Sequence, residues 1–200
     1  MRSPAARSRD PERTRQCIFD AALREFVSKG YAGARVERIA KTAGVNKRLL
    51  YHYFGNKSQL FLAIISGKVA EKTQAVLSEP EHPAKLLPYW FGLNQADQGW
   101  MRMVQWEALQ LDEPIAGEER RRAQFAEAIR SLAQSQRKGL LRADLPLEES
   151  LLLMLAVTMF PFAFPQYVAL ITGLKPQDAC FQERWLKFLK MIGGVLLDRW

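Results

Sequence analysis

The sequence of 200 residues predicts an all-α protein, with a small N-terminal domain of three helices followed by a larger helical domain. Apolar residues recur at spacings of three and four along most of the chain, which is the period of one helix face. Gly and Pro residues separate these stretches. No stretch alternates apolar and polar residues between turn signals, as a half-buried strand would.

The first predicted elements are a flexible arm and one helix. Residues 1–10 are small, basic and contain Pro, so they are predicted to be an arm without a fixed fold. A helix is predicted from Pro11 to Lys29, since Pro and an acidic residue suit the first helical turn. Gly30 follows and is expected to end this helix.

Residues 36–54 predict two short helices joined by a tight turn. Val36, Ile39 and Ala40 lie on one face of the first helix. Gly44 suits the left-handed conformation that ends a helix, and Asn46 suits the N-cap of the next helix, residues 47–54. This is the pattern of a helix-turn-helix, whose second helix enters the major groove of DNA. Any corner between two helices also needs a Gly and apolar contacts, so the pattern alone leaves that plainer interpretation open.

Basic side chains at the start of the second helix favour DNA. Lys47 and Arg48 are candidates for base edges, because cationic donors suit the O6 and N7 acceptors of guanine. His52 lies one turn further along the same face. The charge distribution agrees. Residues 1–57 hold thirteen Lys and Arg against five Asp and Glu, whereas the remainder holds sixteen of each. The whole net charge of +8 therefore lies around the helix-turn-helix, which is typical of a polyanion binder.

Several short motifs in this region fall in the order and spacing of a known family. They are Gly30-Tyr31, Ile39-Ala40, Ala43-Gly44-Val45, Leu50-Tyr51-His52-Tyr53-Phe54, Asn56-Lys57 and Leu60. The chain resembles the TetR family of bacterial transcriptional regulators, closely over about residues 11–71 and more loosely beyond. The agreement of many elements makes the resemblance specific.

The resemblance implies contacts to DNA phosphates by Tyr51, Tyr53 and Lys57. Lys57 is also expected there on electrostatic grounds, because a cation in the first turn of a helix is unfavourable unless an anion binds at that end. Two positions depart from the family pattern. Arg35 replaces the usual Thr; it can contact phosphate but is a poor helix cap. Glu37 would repel phosphate, so it is expected to accept from a cytosine amino group or to face away.

The rest of the chain is predicted to be helical and to form the second domain, residues 58–200. A long helix, residues 56–78, is expected to link the two domains. The further predicted helices span residues 83–94, 97–111, 118–138, 146–173 (kinked at Pro161 and Pro165) and 176–199.

An aromatic and Met-rich cluster in this half is a candidate small-molecule pocket, although an ordinary helical core would have the same composition. Its candidate lining residues are Trp90, Trp100, Met103, Trp106, Met159, Phe162 and Tyr167.

A second apolar set predicts an interface between two subunits. The run 151–164 is apolar all round and must be covered on every side. The resemblance implies that the last two long helices of two subunits form a four-helix bundle. The candidate interface residues are Leu151, Leu155, Trp185, Phe188, Leu189 and Ile192.

Together these features predict a homodimeric, sequence-specific regulator of transcription. The resemblance implies a near-palindromic double-stranded operator and release by an unidentified small-molecule effector, with repression the commoner mode. A non-specific architectural DNA-binding protein remains the alternative. An enzyme is disfavoured, since the sequence lacks a nucleophile motif, a metal cluster and a phosphate-cradling Gly loop. No cofactor or metal is predicted.

The sequence also predicts a cytoplasmic protein without a membrane partner. The N-terminus has basic residues but no apolar core behind them, unlike a signal peptide. The apolar run 151–164 is too short to span a bilayer and is interrupted by Pro. Cys17 and Cys180 are far apart in helical stretches and are expected to be buried and reduced.

Overall fold

The computed structural model describes residues 10–76, 83–109 and 118–197. Within these ranges the structure has ten α-helices and no strand, which confirms the predicted all-α class. Most of the predicted arm and the predicted breaks at 80–83 and 112–117 lie outside the described residues. The helices are α1 (Pro11–Gly33), α2 (Val36–Ala43), α3 (Lys47–Phe54), α4 (Lys57–Val76), α5 (Pro83–Ala96), α6 (Gln98–Ala108), α7 (Glu118–Arg137), α8 (Leu147–Ala163), α9 (Pro165–Thr172) and α10 (Ala179–Leu197).

The chain divides into two compact units, residues 1–68 and 69–200. The division falls inside α4, later than the predicted division after residue 57. Each unit has its own apolar core. In the first, the Phe26 ring lies edge-on to Phe61, with ring centroids 5.1 Å apart, and Tyr31 also contacts both rings. In the second, Phe91 is fully buried and its ring centroid lies 5.1 Å from that of Phe162.

Helix α1 extends beyond its predicted end and is kinked at Gly30. This residue has φ 68° and ψ 176°, a conformation that side chains with a Cβ rarely adopt. Helical structure then resumes as far as Gly33. At the other end, Pro11 occupies the first turn as predicted, and Asp10 caps the helix by accepting from the Glu12 backbone N–H at 3.0 Å.

A proline inside α8 explains how α10 is joined to it. Pro161 lies within α8, and the chain bends by 82° at the break between α8 and α9. Because proline has no N–H, the carbonyl of Val157 loses its normal helical donor. The indole Nε1 of Trp185 on α10 donates to this carbonyl at 3.2 Å. The bond satisfies the freed carbonyl and ties α10 to α8.

Among the described residues, no helix taken singly has the length and apolar content to cross a bilayer. The bent pair α8 and α9 meets the criterion by length and composition only.

The expectation that both cysteines are buried is wrong. Cys17 and Cys180 are both exposed and carry free thiols. On α1 the buried stripe passes through Thr14, Ile18 and Ala21, so Cys17 falls just outside it. Across the described ranges, no group of three or more His, Cys, Asp or Glu side chains is arranged to hold a metal ion.

Candidate functional site

The turn between α2 and α3 is held by three hydrogen bonds at the predicted positions. Gly44 has φ 69°, and its N–H donates to the Lys41 carbonyl at 3.2 Å. The Val45 N–H donates to the Ala40 carbonyl at 3.0 Å. These two bonds form a Schellman motif, which ends α2. Asn46 then caps α3 by accepting from the Leu49 N–H at 2.8 Å. The local sequence therefore fixes the angle between the two helices.

Helix α3 buries one face and exposes a polar, basic face. Leu50 is fully buried in the first unit. Lys47, Arg48, Tyr51 and His52 are all exposed and form two adjacent rows at spacings of four residues. The structure thus brings the three predicted base-contacting residues and one predicted phosphate-contacting residue onto one surface.

Lys47 is held by an acidic residue of α2. Its Nζ lies 2.8 Å from Glu37 Oε1, and both side chains are more than half exposed. The hydrogen bond and the attraction of Lys47 hold the pKa of Glu37 below its usual value, and the same bond raises the pKa of Lys47. The Glu37 carboxylate is therefore paired with Lys47, and this pair uses one of the three donors of the Lys47 ammonium.

Lys57 lies at the start of α4 and against the last residues of α1. Asn56 caps α4 by accepting from the Gln59 N–H at 2.8 Å. The Lys57 Nζ lies 4.8 Å from the centroid of the Tyr31 ring and 3.5 Å from the Ala32 carbonyl oxygen. Tyr53 is half-buried with its ring beside His52. The ammonium of Lys57 is thus held near a helix N-terminus, where an anion is favoured.

A carboxylate from α1 caps α2 in place of the missing side-chain cap. Arg35, the N-cap residue of α2, makes no capping bond with its side chain. Instead its backbone N–H donates to Glu25 Oε1 at 3.2 Å. The same oxygen lies 3.6 Å from Arg38 Nη1. The arrangement resembles the acidic half of a capping box supplied from another helix, and it also complements the α2 dipole.

Sequence reasoning does not point to Glu25, because the contact joins residues ten positions apart across a bend in the chain. The sequence feature that could have indicated this contact is the position of Glu25 inside the apolar stripe of α1, directly before Phe26. A charged group in such a place needs a specific partner.

Replacing Glu25 by Ala is expected to destabilise the first unit by about 1–3 kcal/mol, because the Arg35 N–H loses its acceptor in a partly buried position. Glu25→Gln keeps an acceptor and should retain most of the stability, since the half-exposed Arg38 adds little. Urea unfolding followed by circular dichroism measures both variants. Equal stability of Glu25→Ala and the wild type would show that this cap is unimportant.

The second unit contains a largely apolar cavity of about 250 Å³. Of the predicted pocket residues, Trp90, Trp100 and Met159 line it. The others lie elsewhere: Met103 is fully buried, Phe162 packs on Phe91, Trp106 is half-buried outside the cavity lining, and Tyr167 is half-exposed on α9. Within the described ranges, the residues that line it are Val69, Trp90, Leu93, Asn94, Trp100, Val104, Arg121, Gln124, Phe125, Ala128, Leu151, Leu155, Thr158 and Met159.

The predicted interface residues fall on different faces of α8 and α10. Leu151 and Leu189 are buried within their own subunit, so these two choices are corrected. Leu155 is half-buried and lines the cavity, and Ile192 is half-buried against the core. Trp185 is half-buried and hydrogen-bonded to Val157.

Phe188 is the predicted interface residue that is exposed, and its ring centroid lies 5.4 Å from that of Trp185. Other large apolar side chains are also exposed on α8 and α10. We call them, together with Phe188, the α8–α10 apolar face: Leu152, Leu153, Phe160, Phe188 and Met191.

The short turn, the capped second helix and its exposed basic face define a helix-turn-helix DNA-binding protein. Residues 18–64 match the family described as "Bacterial regulatory proteins, tetR family". Residues 89–184 match the description "Tetracyclin repressor-like, C-terminal domain". The chain belongs to the TetR family of bacterial regulatory proteins. It is a DNA-binding regulator of transcription rather than an enzyme, which confirms the prediction from the sequence.

Similar proteins cover most of the chain. The HTH-type transcriptional repressor SCO4008 of Streptomyces coelicolor is 29% identical over 83% of this chain and 87% of its own length. The HTH-type transcriptional repressor NicS of Pseudomonas putida is 25% identical over 94% of each protein. The crystal structure of SCO4942 from Streptomyces coelicolor superimposes with a TM-score of 0.76 at 26% identity, covering 90% of this chain and 97% of that one.

Proposed function

We propose that the protein is a homodimeric transcriptional repressor that binds a near-palindromic operator and is released by a small-molecule effector. The exposed face of α3, which carries Lys47, Arg48 and His52, supports sequence-specific binding. Repression is supported by the similarity to SCO4008 and NicS, which are named as repressors. The protein acts on DNA, and we propose a cytoplasmic location.

In this proposal the exposed face of α3 lies in the major groove. Arg48 and Lys47 donate to guanine O6 and N7, and His52 reaches a neighbouring base. Contacts from Arg35, Tyr51, Tyr53 and Lys57 to phosphates set the register without selecting a sequence; Arg35 and Tyr51 are exposed, and the other two are half-buried.

Dimerisation through the α8–α10 apolar face would place two recognition helices on two half-sites. Large apolar side chains that are exposed to solvent in this number are typical of an interaction site. A homodimer covers it with an identical patch on the partner, as two-fold symmetry requires.

The cavity of the second unit is the proposed effector site. A bound molecule alters DNA affinity only if it binds the released form better than the DNA-bound form. Helix α4 begins in the first unit and contributes Val69 to the cavity wall. We therefore propose that α4 transmits the effect of effector binding to the DNA-binding unit.

Selection of DNA sites by the purified protein from random duplexes is expected to enrich a near-palindrome. Arg48→Ala should relax the preference at one position in each half-site and cost about 1–3 kcal/mol there. Lys47→Ala also leaves Glu37 unpaired beside the DNA, so the double variant Glu37→Gln with Lys47→Ala is needed to isolate the loss of the lysine.

Lys57→Ala is the matched control for a phosphate contact. It should weaken binding to all sequences alike and reduce the slope of log affinity against log salt by about one. Salt-sensitive binding with no enriched motif would instead favour an architectural DNA-binding protein and contradict the proposal.

A further inference from the structure

The cavity of the second unit has a mostly apolar wall that contains aromatic rings. Trp90, Leu93, Val104, Leu155 and Met159 contribute to it, from α5, α6 and α8. Sites of this kind bind ligands through apolar contacts and use a few polar groups to set orientation. The chemistry of those polar groups therefore indicates the class of ligand.

Among the described residues that line this cavity, one is charged, Arg121, and its charge is already compensated. Its Nη1 lies 2.7 Å from Glu107 Oε2, joining α7 to α6. Both side chains are nearly buried, with exposed fractions of 15% and 16%. The guanidinium carbon also lies 5.7 Å from the centroid of the Trp100 ring.

This pair disfavours charged ligands of either sign. An anionic ligand would have to compete with Glu107 for Arg121, and separating the two charges of a nearly buried ion pair is costly. A cationic ligand would lose its own hydration and would gain no counter-charge in return, because the carboxylate of Glu107 is already paired with Arg121. A neutral ligand leaves the ion pair intact and incurs neither cost.

Asn94 gives the cavity a hydrogen-bond acceptor. Its Nδ2 donates to the Thr158 carbonyl at 3.4 Å, which leaves the side-chain oxygen to accept from a ligand. The Thr158 side chain is fully buried, and its hydroxyl lies within hydrogen-bond distance of the Met154 and Leu155 carbonyls, so Asn94 supplies the acceptor at this place. Both residues line the cavity. A ligand that carries one hydrogen-bond donor is therefore suited to bind beside Asn94.

The volume limits the size of the ligand. Benzene fills a cavity of about 150 Å³ in an engineered protein core. A cavity of about 250 Å³ is thus large enough for a fused two-ring molecule or a substituted single ring.

We propose that this cavity binds an uncharged aromatic molecule of one or two rings that donates a hydrogen bond, and that it discriminates against the matching acid and amine. The assignment of this molecule as the effector rests on the proposed function. The binding preference itself follows from the compensated Arg121, the acceptor of Asn94 and the apolar wall.

The test compares three naphthalene derivatives in binding to the full chain by calorimetry: 2-naphthol, 2-naphthoate and 2-naphthylmethylammonium. The wild type should bind 2-naphthol at least about tenfold more tightly than either ion. Ala128→Phe fills part of the wall and should remove this binding, which locates the ligand in the cavity.

Glu107→Gln tests the role of the ion pair directly. It leaves the guanidinium of Arg121 without its counter-charge, so the affinity for 2-naphthoate should rise at least about tenfold while that for 2-naphthol changes little. The matched control is Glu118→Gln, which removes the carboxylate of an exposed pair with Arg122 and should change neither affinity.

Three results would overturn the proposed ligand class: equal or tighter binding of 2-naphthoate by the wild type, binding of none of the three compounds, or an unchanged preference in Glu107→Gln. Operator binding is measured separately on the same samples. If 2-naphthol binds with the expected preference but does not weaken operator binding, the ligand class stands and the proposed release by that ligand is wrong.

Discussion

Phe188→Asp is expected to convert the protein from a dimer to a monomer and to weaken operator binding by about 10²–10⁴-fold. Phe188 lies on the α8–α10 apolar face, where its ring is 41% exposed and rests beside Trp185. A carboxylate there would be desolvated against an apolar partner surface, and two-fold symmetry introduces it twice. The monomer would lose the additional affinity that a dimer gains by binding two linked half-sites at once.

Sedimentation velocity and operator titration of the same samples measure the two effects. Leu109→Asp is the matched control, because it places the same charge on an apolar side chain that is 72% exposed at the end of α6 and is not part of the α8–α10 apolar face. It should leave both the mass and the affinity unchanged. A Phe188→Asp variant that remains dimeric would show that the subunits associate through another surface.

The DNA-binding unit could be predicted closely because its determinants are local. The ends of α2 and α3 depend on Gly44 and Asn46, whose conformational and capping preferences act within a few residues. The exposed positions of Lys47 and Arg48 follow from the helical period once Leu50 is placed in the core. The role of Glu25 depends on a contact between separate helices, which no local pattern contains.

The faces of α8 could not be predicted for a different reason. A helix that is apolar all round has no polar side to define its orientation. Its sequence therefore does not indicate which residues face the core and which face outward. Leu151 and Leu152 are adjacent and chemically identical, yet Leu151 is buried and Leu152 is 66% exposed. The same ambiguity affects the aromatic cluster, where composition predicts a pocket but does not distinguish Met103 in the core from Met159 in the wall.

The tryptophans allow the two units to be followed separately during unfolding. All five Trp residues occur in residues 69–200, so intrinsic tryptophan fluorescence reports on the second unit alone. Circular dichroism at helical wavelengths reports on both units, since both are helical.

Phe26→Ala is expected to destabilise the first unit by about 3–5 kcal/mol, because a fully buried ring that contacts Phe61 and Tyr31 is removed from a small core. Circular dichroism should show an early transition, with the fluorescence midpoint unchanged and operator binding lost. Phe91→Ala, the matched deletion in the second unit, should instead shift the fluorescence midpoint to lower denaturant. If Phe26→Ala shifts both signals equally, the two units unfold as one cooperative structure through the continuous helix α4.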